Sequence, residues 1–466
     1  MSVLKFLSDL PPARWKYRRR QLRALLPPGQ SRFPDGFQWG SASASHQVEG
    51  ANIHSDWWRF ERIEGKIQGF WDQPESARHW KSDHWRRFPE DIVRMRQDMG
   101  LTSYRFGIEW SRVEPREGEF DQAVIARYAE MCALMRANGI RPMVTLFHWS
   151  SPDWIWDLAR EKETGWYHDS IVDRFERFVR QIVPALAPHV DLWCTLNEPN
   201  SYVYGGYSEG VLAPGHRNND TGLLPIIRNL LKAHARAHRV IKEIQPKSEV
   251  GIAHQFASIE PEAHWNPIAW VVAGQLEQTF TWLYMDAIRD GRFAMPTREL
   301  HVLREELPEL KNTLDFIGVN YYERVLLRLP GGWDLRRAEI LHDHHTTKEI
   351  WPRERNPADF LSTLRHVYKR YKLPIYITEN GRAHPDDNER EGYLRDHLEV
   401  TAYAAEVLKM PIKGYYWWSL MDNQEWASGF IPRFGLYHVD FATGERTLRG
   451  TGRRYAEIIK RGMVGS

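Results

Sequence analysis

The feature that most constrains the fold of this chain is a regular alternation of short apolar segments and longer amphipathic ones. After about residue 33, eight apolar segments of strand length follow one another: 37–42, 103–110, 142–149, 192–198, 250–256, 315–322, 374–379 and 414–420. Nearly continuous apolar strands are typical of a parallel sheet that is covered on both faces. Amphipathic helical patterns lie between them, for example 90–100 and 126–139, which both end on a glycine.

Eight such units predict an α/β protein with one (β/α)8 TIM barrel over residues 33–466. A doubly wound sheet is the alternative, but it would favour a G-x-G-x-x-G loop after the first strand, and GSASASHQVEG does not match that pattern. Residues 1–32 form a basic N-terminal extension. Its segment RWKYRRRQLRALL has the pattern of an amphipathic helix. We expect that helix to dock on the barrel, with disorder or contact with an anionic surface as the alternatives.

Composition excludes several classes of function. The formal net charge of +2 gives no reason to expect nucleic acid as a partner. Two cysteines, Cys132 and Cys194, are too few for a disulfide framework, and we predict buried free thiols. No segment approaches the roughly 18–20 apolar residues of a membrane span. Positive charges follow the first apolar stretch instead of preceding it, which is the wrong order for a secretory signal, so we expect a cytoplasmic protein.

The active site of such a barrel lies at the C-terminal ends of its strands. Polar and aromatic residues are concentrated there: Gln47, Glu49, Arg105, Glu109, Trp110, His148, Trp149, Asn197, Glu198, Asn320, Tyr321, Tyr322, Glu379, Trp417, Trp418, Asp422, Glu425 and Trp426. Aromatic faces bind the apolar side of a pyranose, while amides and carboxylates bind its hydroxyl groups. The strand ends therefore predict a sugar site.

Two carboxylates in this set stand at the ends of the fourth and seventh strands, which face each other across the barrel mouth. Glu198 follows the fourth strand, and Glu379 ends the seventh. Two facing carboxylates are the machinery of glycoside hydrolysis, and their separation decides between retention and inversion of the anomeric centre. The sequence does not determine that separation.

Six motifs in the same order resemble glycoside hydrolase family 1, the β-glucosidase family. They are FQWGSASASHQVEG, YRFGIEWSRVEP, FHW, TLNEPN, DFIGVNYY and YITENG, and the segment 417–441 is similar to the C-terminal signature of that family. The resemblance implies a retaining exo-β-glycosidase that uses neither a metal nor another cofactor. It implies that Glu198 is the general acid and base and that Glu379 is the nucleophile.

The resemblance also implies roles for the neighbouring residues. Arg105, Asn320 and Tyr322 are candidates to keep Glu379 ionised, and burial should raise the pKa of Glu198. The residues that match hydroxyl-binding positions are Gln47, His148, Asn197, Glu425 and Trp426, and Trp418 matches the platform beneath the sugar. Glu425 and Trp426 argue against 6-phosphorylated substrates, because a carboxylate would repel phosphate. The presence of Glu198 argues against the thioglucosidase branch.

Three places depart from the family pattern. Lys348 replaces a tryptophan at the aglycone site, the segment 382–391 after Glu379 is short, and Gln424 replaces an aromatic residue. The cluster HDHH at 342–345 lacks a second group at ligand spacing, so we interpret it as a solvated loop and not as a metal site.

Two other functions use similar residues. A transglycosidase would share both carboxylates and differ in excluding water. A non-enzymatic carbohydrate-binding barrel would keep the aromatic residues and usually lose one carboxylate, whereas both are present in this chain. The expected partner is a small β-glycoside or oligosaccharide. The choice between glucose, galactose and fucose stays open, as does the oligomeric state.

Overall fold

The computed structural model describes residues 32–296, 302–329, 339–341, 349–352 and 354–464. Eight parallel strands form a closed barrel in which each strand pairs with its neighbours along the chain. They are β1 (Gln38–Ala42), β2 (Ser103–Gly107), β3 (Arg141–Phe147), β4 (Leu192–Asn197), β5 (Glu249–Gln255), β6 (Phe316–Asn320), β7 (Ile375–Asn380) and β8 (Ile412–Trp418). The predicted (β/α)8 barrel is confirmed.

Each strand is followed by a helix that covers the outside of the barrel. The eight helices are α1 (His84–Met99), α2 (Gln122–Ala137), α3 (Ser170–Leu186), α4 (Asp220–Ile244), α5 (Leu283–Asp290), α6 (Pro357–Tyr371), α7 (Asp387–Glu406) and α8 (Gly450–Arg461). Side chains cap several of their N-termini. Asp121, for example, accepts hydrogen bonds from two backbone N–H groups of the first turn of α2. Gly100 ends α1 in the left-handed conformation, as predicted.

Several boundaries differ from the sequence prediction, and two of them are informative. Helix α1 begins at His84, whereas the pattern indicated a start near residue 90, and Pro89 lies inside the helix. Strand β2 ends at Gly107, and Trp110 begins a short helix (Trp110–Val113) instead of ending the strand. The Trp110 ring packs on Phe175 and Phe178, with centroids at 5.5 Å for both, so it belongs to the core between the barrel and its outer helices.

Smaller elements connect the strands and helices of the barrel. Arg292–Pro296 pairs with Val302–Glu306, and Tyr437–Val439 pairs with Arg446–Leu448, both antiparallel. Ile259–Pro261, Val325–Arg328 and Glu339–Leu341 form a three-stranded sheet. Short helices also follow the strands: Ser45–Val48, Asp56–Phe60, Glu75–Trp80, Pro199–Val203 and Pro267–Glu277. Because these short helices follow strands, they lie on the side of the barrel where the strands end.

The interior of the barrel is filled near the starts of its strands. The Tyr416 ring lies so close to Gly40 that a Cβ atom there would be 2.4 Å from it, so residue 40 must be glycine. The Tyr416 hydroxyl lies 2.7 Å from the Ser103 hydroxyl, at the first residue of β2. Tyr416 thus contributes to the packed core on which the site rests.

The remaining predictions concern the chain as a whole. Cys132 and Cys194 are buried free thiols, as predicted. No helix in the described ranges is long and apolar enough to cross a membrane. Apart from Arg32, which bridges to Met463, the N-terminal extension lies outside the described residues, and its docking stays a prediction.

Candidate active site

The residues predicted to form the site all lie at the C-terminal mouth of the barrel. Arg105 and Glu379 belong to β2 and β7, Asn197, Asn320 and Trp418 end their strands, and Gln47, His148, Glu198, Tyr322, Glu425 and Trp426 lie in the segments that follow. Ten of these eleven are buried, and Glu425 keeps part of its surface exposed. The structure therefore brings the whole predicted set together.

Glu379 is held by one cation and one phenol. Arg105 Nη1 donates to Glu379 Oε1 at 2.6 Å, and the Tyr322 hydroxyl donates to Glu379 Oε2 at 2.7 Å. Burial raises the pKa of Glu379, while Arg105 and Tyr322 act to lower that pKa. Because the guanidinium contacts this carboxylate directly, Glu379 is the group of the pair that takes the negative charge.

Glu198 lies in a strained backbone conformation between β4 and a short helix. Its φ of 42° and ψ of 60° are left-handed, which costs a non-glycine residue roughly 1–2 kcal/mol. Two hydrogen bonds hold that conformation: the Glu198 N–H donates to the Ala253 carbonyl of β5, and the Glu198 carbonyl accepts from the Tyr202 N–H. Burial and then the charge of Glu379 raise the pKa of the Glu198 carboxyl to about 8.

A chain of amide groups connects the two carboxylates. Arg105 Nη2 donates to Asn197 Oδ1 at 2.6 Å, and Asn320 Nδ2 donates to the same oxygen at 3.1 Å. Asn320 Nδ2 also donates to Glu198 Oε1 at 2.7 Å. Asn320 was expected beside Glu379. It is the residue paired with Glu379 across the two strands, and its amide helps to lower the pKa of Glu379 while also donating to Asn197 and Glu198.

His148 presents an N–H group to the site. Asn197 Nδ2 donates to His148 Nε2 at 2.9 Å. The Asn197 amide must have this orientation because its oxygen accepts hydrogen bonds from Arg105 and Asn320. The proton of the neutral ring therefore lies on Nδ1, which is buried without a partner in the described structure. Burial and Arg105 lower the pKa of His148 well below its ordinary value, so the ring stays neutral.

Gln47 presents an acceptor on the other side. Its Nε2 group donates to the Gln424 carbonyl at 2.8 Å, to Asn423 Oδ1 at 3.0 Å and to Glu425 Oε2 at 3.3 Å. These bonds orient the amide and leave Oε1 buried with no hydrogen bond to any described residue. A buried acceptor without a partner is costly unless a ligand hydroxyl completes it.

Aromatic rings form the rest of the wall. The Trp418 indole N–H donates to Glu425 Oε1 at 3.3 Å, and burial raises the pKa of Glu425 to about 8. The Trp426 ring packs on His148 and Trp149, with centroids at 5.7 and 5.0 Å. Because these rings contact one another, the platform predicted at Trp418 and the side wall at Trp426 belong to one rigid aromatic group.

Several other strand-end residues have structural partners outside this group. Glu49 accepts hydrogen bonds from the Tyr128 hydroxyl and Arg112. Asp422 pairs with Arg449 at 2.6 Å, and the indole N–H of fully buried Trp417 donates to a backbone carbonyl. These residues hold segments together and belong to the scaffold.

A buried ionic cluster behind the sugar-facing wall was not predicted. Lys81 Nζ lies 2.8 Å from Glu61 Oε2 and 2.8 Å from His46 Nε2, and Gln424 Nε2 donates to the same Glu61 oxygen at 3.2 Å. Burial acts to raise the pKa of Glu61, but Lys81 and His46 overcome it and hold that pKa at about 2. The cluster thus anchors the segment that carries Glu425. Its members follow no sequence periodicity that could have revealed them.

Lys348 and the HDHH cluster at 342–345 lie outside the described residues, so the interpretations of both stay predictions. Within the described ranges, no three His, Cys, Asp or Glu side chains are grouped in a way that could hold a metal ion. The short segment after Glu379 is described, and Ala383 within it exchanges two backbone hydrogen bonds with Trp351. Trp351 packs on Tyr322 with a centroid distance of 4.4 Å.

The chain is similar to known glycosidases over nearly its whole length. The sequence profile of glycosyl hydrolase family 1 matches residues 29–463. Beta-glucosidase A of Thermotoga maritima is 32% identical over 453 residues, which cover 92% of this chain and 98% of that protein. A 1,4-beta-D-glucan glucohydrolase of Thermotoga neapolitana is 30% identical over 453 residues, with coverage of 92% and 98%.

Solved structures give the same result. A beta-glycosidase from Pyrococcus horikoshii superposes with a TM-score of 0.79 at 32% identity, over 93% of this chain and 96% of that one. A family 1 glucosidase from Thermotoga maritima reaches 0.81 at 29% identity, over 93% and 99%. The Thermotoga maritima enzyme has been solved with galacto-hydroximolactam and with deoxynojirimycin. This chain therefore belongs to glycosyl hydrolase family 1 and is an O-glycoside hydrolase of the β-glucosidase type.

Proposed function

We propose that the protein is a retaining exo-β-glycosidase that acts on unphosphorylated β-glucosides, and also on β-galactosides or β-fucosides. The observation that carries this proposal is the contrast between two buried carboxyls. Glu379 contacts the Arg105 guanidinium at 2.6 Å, whereas Glu198 contacts the neutral Asn320 amide and has its pKa raised to about 8 by burial and by Glu379. One group is suited to be a nucleophile and the other a proton donor.

In the first step, Glu198 gives its proton to the glycosidic oxygen as the bond between that oxygen and C1 breaks. The Glu379 carboxylate forms a bond to C1 from the opposite face, and the aglycone leaves as an alcohol. Arg105 and Tyr322 hold Glu379 in place through separate oxygens. Both contacts keep the attacking carboxylate from rotating during the step.

In the second step, water replaces the aglycone. The ionised Glu198 takes a proton from that water, whose oxygen forms a bond to C1 while the bond between C1 and Glu379 breaks. Glu198 is thereby protonated again and Glu379 regains its charge. The product keeps the β configuration because the anomeric centre is inverted twice.

Two unsatisfied polar atoms support recognition of sugar hydroxyls. Gln47 Oε1 can accept and His148 Nδ1 can donate, and both are buried without a partner in the described part of the chain. Glu425 can bind further hydroxyls. The proposal for unphosphorylated sugars rests on the space that Glu425 and Trp426 fill and less on charge, because burial raises the pKa of Glu425 to about 8. The galacto-type ligand of the Thermotoga maritima enzyme supports tolerance of galactose.

The stereochemistry of the first product tests the proposal. Proton NMR during hydrolysis of an aryl β-glucoside should show β-glucose before mutarotation produces the α anomer. The anomeric protons of α- and β-glucose give separate signals, so the spectra show directly which anomer is formed first. An initial α product would mean a single displacement and would reject the retaining mechanism.

The pH dependence of kcat/KM should have two limbs. Glu198 must be protonated in the free enzyme, so the rate should fall about tenfold per pH unit above its pKa of about 8. Glu379 must be ionised, so the rate should also fall as the pH drops through its pKa, which burial raises above the ordinary value. In Glu198→Ala, a dinitrophenyl glucoside needs no acid, and the alkaline limb should disappear. An alkaline limb that persists in this variant would contradict the assignment.

A further inference from the structure

A second cavity of about 250 Å³ lies beside the mouth of the barrel. It is lined by Asp56, Arg59, Phe60, Ile63, Lys66, Pro214, Gly215 and His216. One wall comes from the short helix Asp56–Phe60 and the segment that follows it, and the other comes from residues 214–216 after β4. None of the residues assigned to the sugar site lines this cavity.

A buried tryptophan separates the two sites. The Trp57 ring is fully buried, and its centroid lies 5.4 Å from that of Phe60 on the cavity side and 4.6 Å from that of Trp426 on the sugar side. Its indole N–H donates to the Trp149 carbonyl at 2.9 Å, which fixes the ring. A molecule in the cavity would therefore not contact the sugar directly.

Positive charge dominates the polar wall. Lys66 Nζ lies 5.1 Å from the Phe60 ring centroid, and a Cβ atom on Gly215 would be 3.8 Å from the same nitrogen. Among the described residues, Lys66 forms no ion pair. Arg59 pairs at 3.1 Å with Asp153, which is 44% exposed. Such an exposed pair is weak in water and leaves the guanidinium able to bind a second anion.

The acidic lining residue adds little negative charge. Asp56 Oδ1 accepts the Ser151 N–H at 3.0 Å, and Asp56 Oδ2 accepts the Trp156 indole N–H at 3.4 Å. Burial raises the pKa of Asp56 to about 8, so this carboxyl is mostly protonated at neutral pH. The cavity consequently has a net positive charge.

The remaining surface is apolar. The Phe60 ring is 3% exposed, while Ile63 is a large hydrophobic side chain that is 49% exposed. Pro214 completes this surface. Apolar lining groups beside an ammonium group form a site with two ends, one for a ring and one for an anion.

We propose that this cavity binds a small carboxylate that carries a single ring, with the carboxylate on Lys66 and Arg59 and the ring against Phe60 and Ile63. Benzoate represents this class of ligand, and the volume of the cavity admits one such molecule. The acid could be free in solution or could be a substituent of a glycoside. Because Trp57 lies between the two sites, the free acid is the expected form.

Calorimetric titration of the full chain with benzoate tests the proposal. Benzoate should bind with one-to-one stoichiometry, and benzamide, which has the same shape without the charge, should bind at least about tenfold more weakly. Lys66→Met keeps the apolar stem and removes the charge, and it should weaken benzoate binding about tenfold or more. The Lys66→Met variant should hydrolyse an aryl β-glucoside at the native rate.

Lys372→Met provides a matched control, because Lys372 Nζ lies 4.9 Å from the Tyr368 ring centroid but lines no part of this cavity. Benzoate affinity should be unchanged in that variant. Absence of saturable benzoate binding would overturn the proposal, and so would equal binding of benzamide or equal losses in the two lysine variants.

The source of the acid is decided with a 4-carboxyphenyl β-glucoside. If the acid is free, Lys66→Met should leave the KM of this substrate unchanged relative to the phenyl β-glucoside. A selective rise of KM for the carboxylated substrate would show that the ligand is an acid group of the glycoside. It would also overturn the separation of the two sites by Trp57.

Discussion

Replacing Glu379 with alanine should reduce kcat/KM for aryl β-glucosides by roughly 10⁴- to 10⁶-fold. The substitution removes the group proposed to form the covalent intermediate, and it leaves the Arg105 guanidinium, which contacts Glu379 at 2.6 Å, without its anion. Steady-state kinetics with dinitrophenyl β-glucoside would measure the loss. A rate within tenfold of the native enzyme would reject Glu379 as the nucleophile.

Azide should restore turnover of the Glu379→Ala variant and identify the role of each carboxylate. Azide can enter the space left by Glu379 and attack C1 from the face opposite the leaving group, so the product should be the α-glycosyl azide. Glu198→Ala is the matched control. In this variant azide would replace water in the second step and yield the β-glycosyl azide. If Glu379→Ala gave the β-glycosyl azide and Glu198→Ala gave the α-glycosyl azide, the roles of nucleophile and acid/base would have to be exchanged.

Lys81→Met should lower the free energy of unfolding by about 3 kcal/mol, because it removes the fully buried one of the two cations that contact the buried charge of Glu61. Lys81 and Glu61 are both fully buried and 2.8 Å apart. Arg62 also contacts Glu61 at 2.8 Å, so the loss should be at the lower end of what broken buried pairs show. Urea unfolding at pH 7 would measure it.

The pH dependence of stability distinguishes the loss of the ion pair in Lys81→Met from poor packing of the new methionine side chain. In the native protein the pKa of Glu61 is held at about 2, below its ordinary value of 4.5, so the contribution of Glu61 is present above pH 4.5 and disappears as the pH falls towards 2. In Lys81→Met the same carboxyl should protonate readily, and the difference between the two proteins should shrink as the pH falls. Arg180→Met breaks exposed ion pairs and should cost less than about 1 kcal/mol. A constant difference at all pH values would contradict the ionic explanation.

The barrel and the membership of the site could be predicted from the sequence, because both depend on local patterns. Each apolar run defines a strand, and the position of Glu198 or Glu379 relative to the end of its strand places it at the mouth. Arg105 and Tyr322 were named from the sequence as candidate partners of Glu379, and both contact it, but the other hydrogen bonds within the site could not be predicted. Asn320 donates to Glu198, and the register of β7 shifts next to β6 between Ile377 and Glu379; neither feature leaves a trace in hydrophobic periodicity.

Long-range ionic contacts were also beyond sequence reasoning. Lys81 is fully buried because it contacts Glu61 and His46, residues 20 and 35 positions away along the chain, and no local sequence pattern indicates such contacts. Sequence reasoning treated Glu425 as a charged residue, whereas burial raises its pKa to about 8. Charge states of this kind depend on solvent access, which only the assembled mouth determines.

The backbone at Glu198 sets a boundary for exchanging segments between enzymes of this fold. Glu198 is joined to β5 through its N–H group and to the following helix through its carbonyl, so Pro199–Val203 cannot be replaced without moving the carboxyl. The π-helical segment Tyr204–Ser208 lies beyond these bonds. A grafted segment that alters access to the mouth should therefore begin at residue 204, so that the proton donor is inherited unchanged from the recipient.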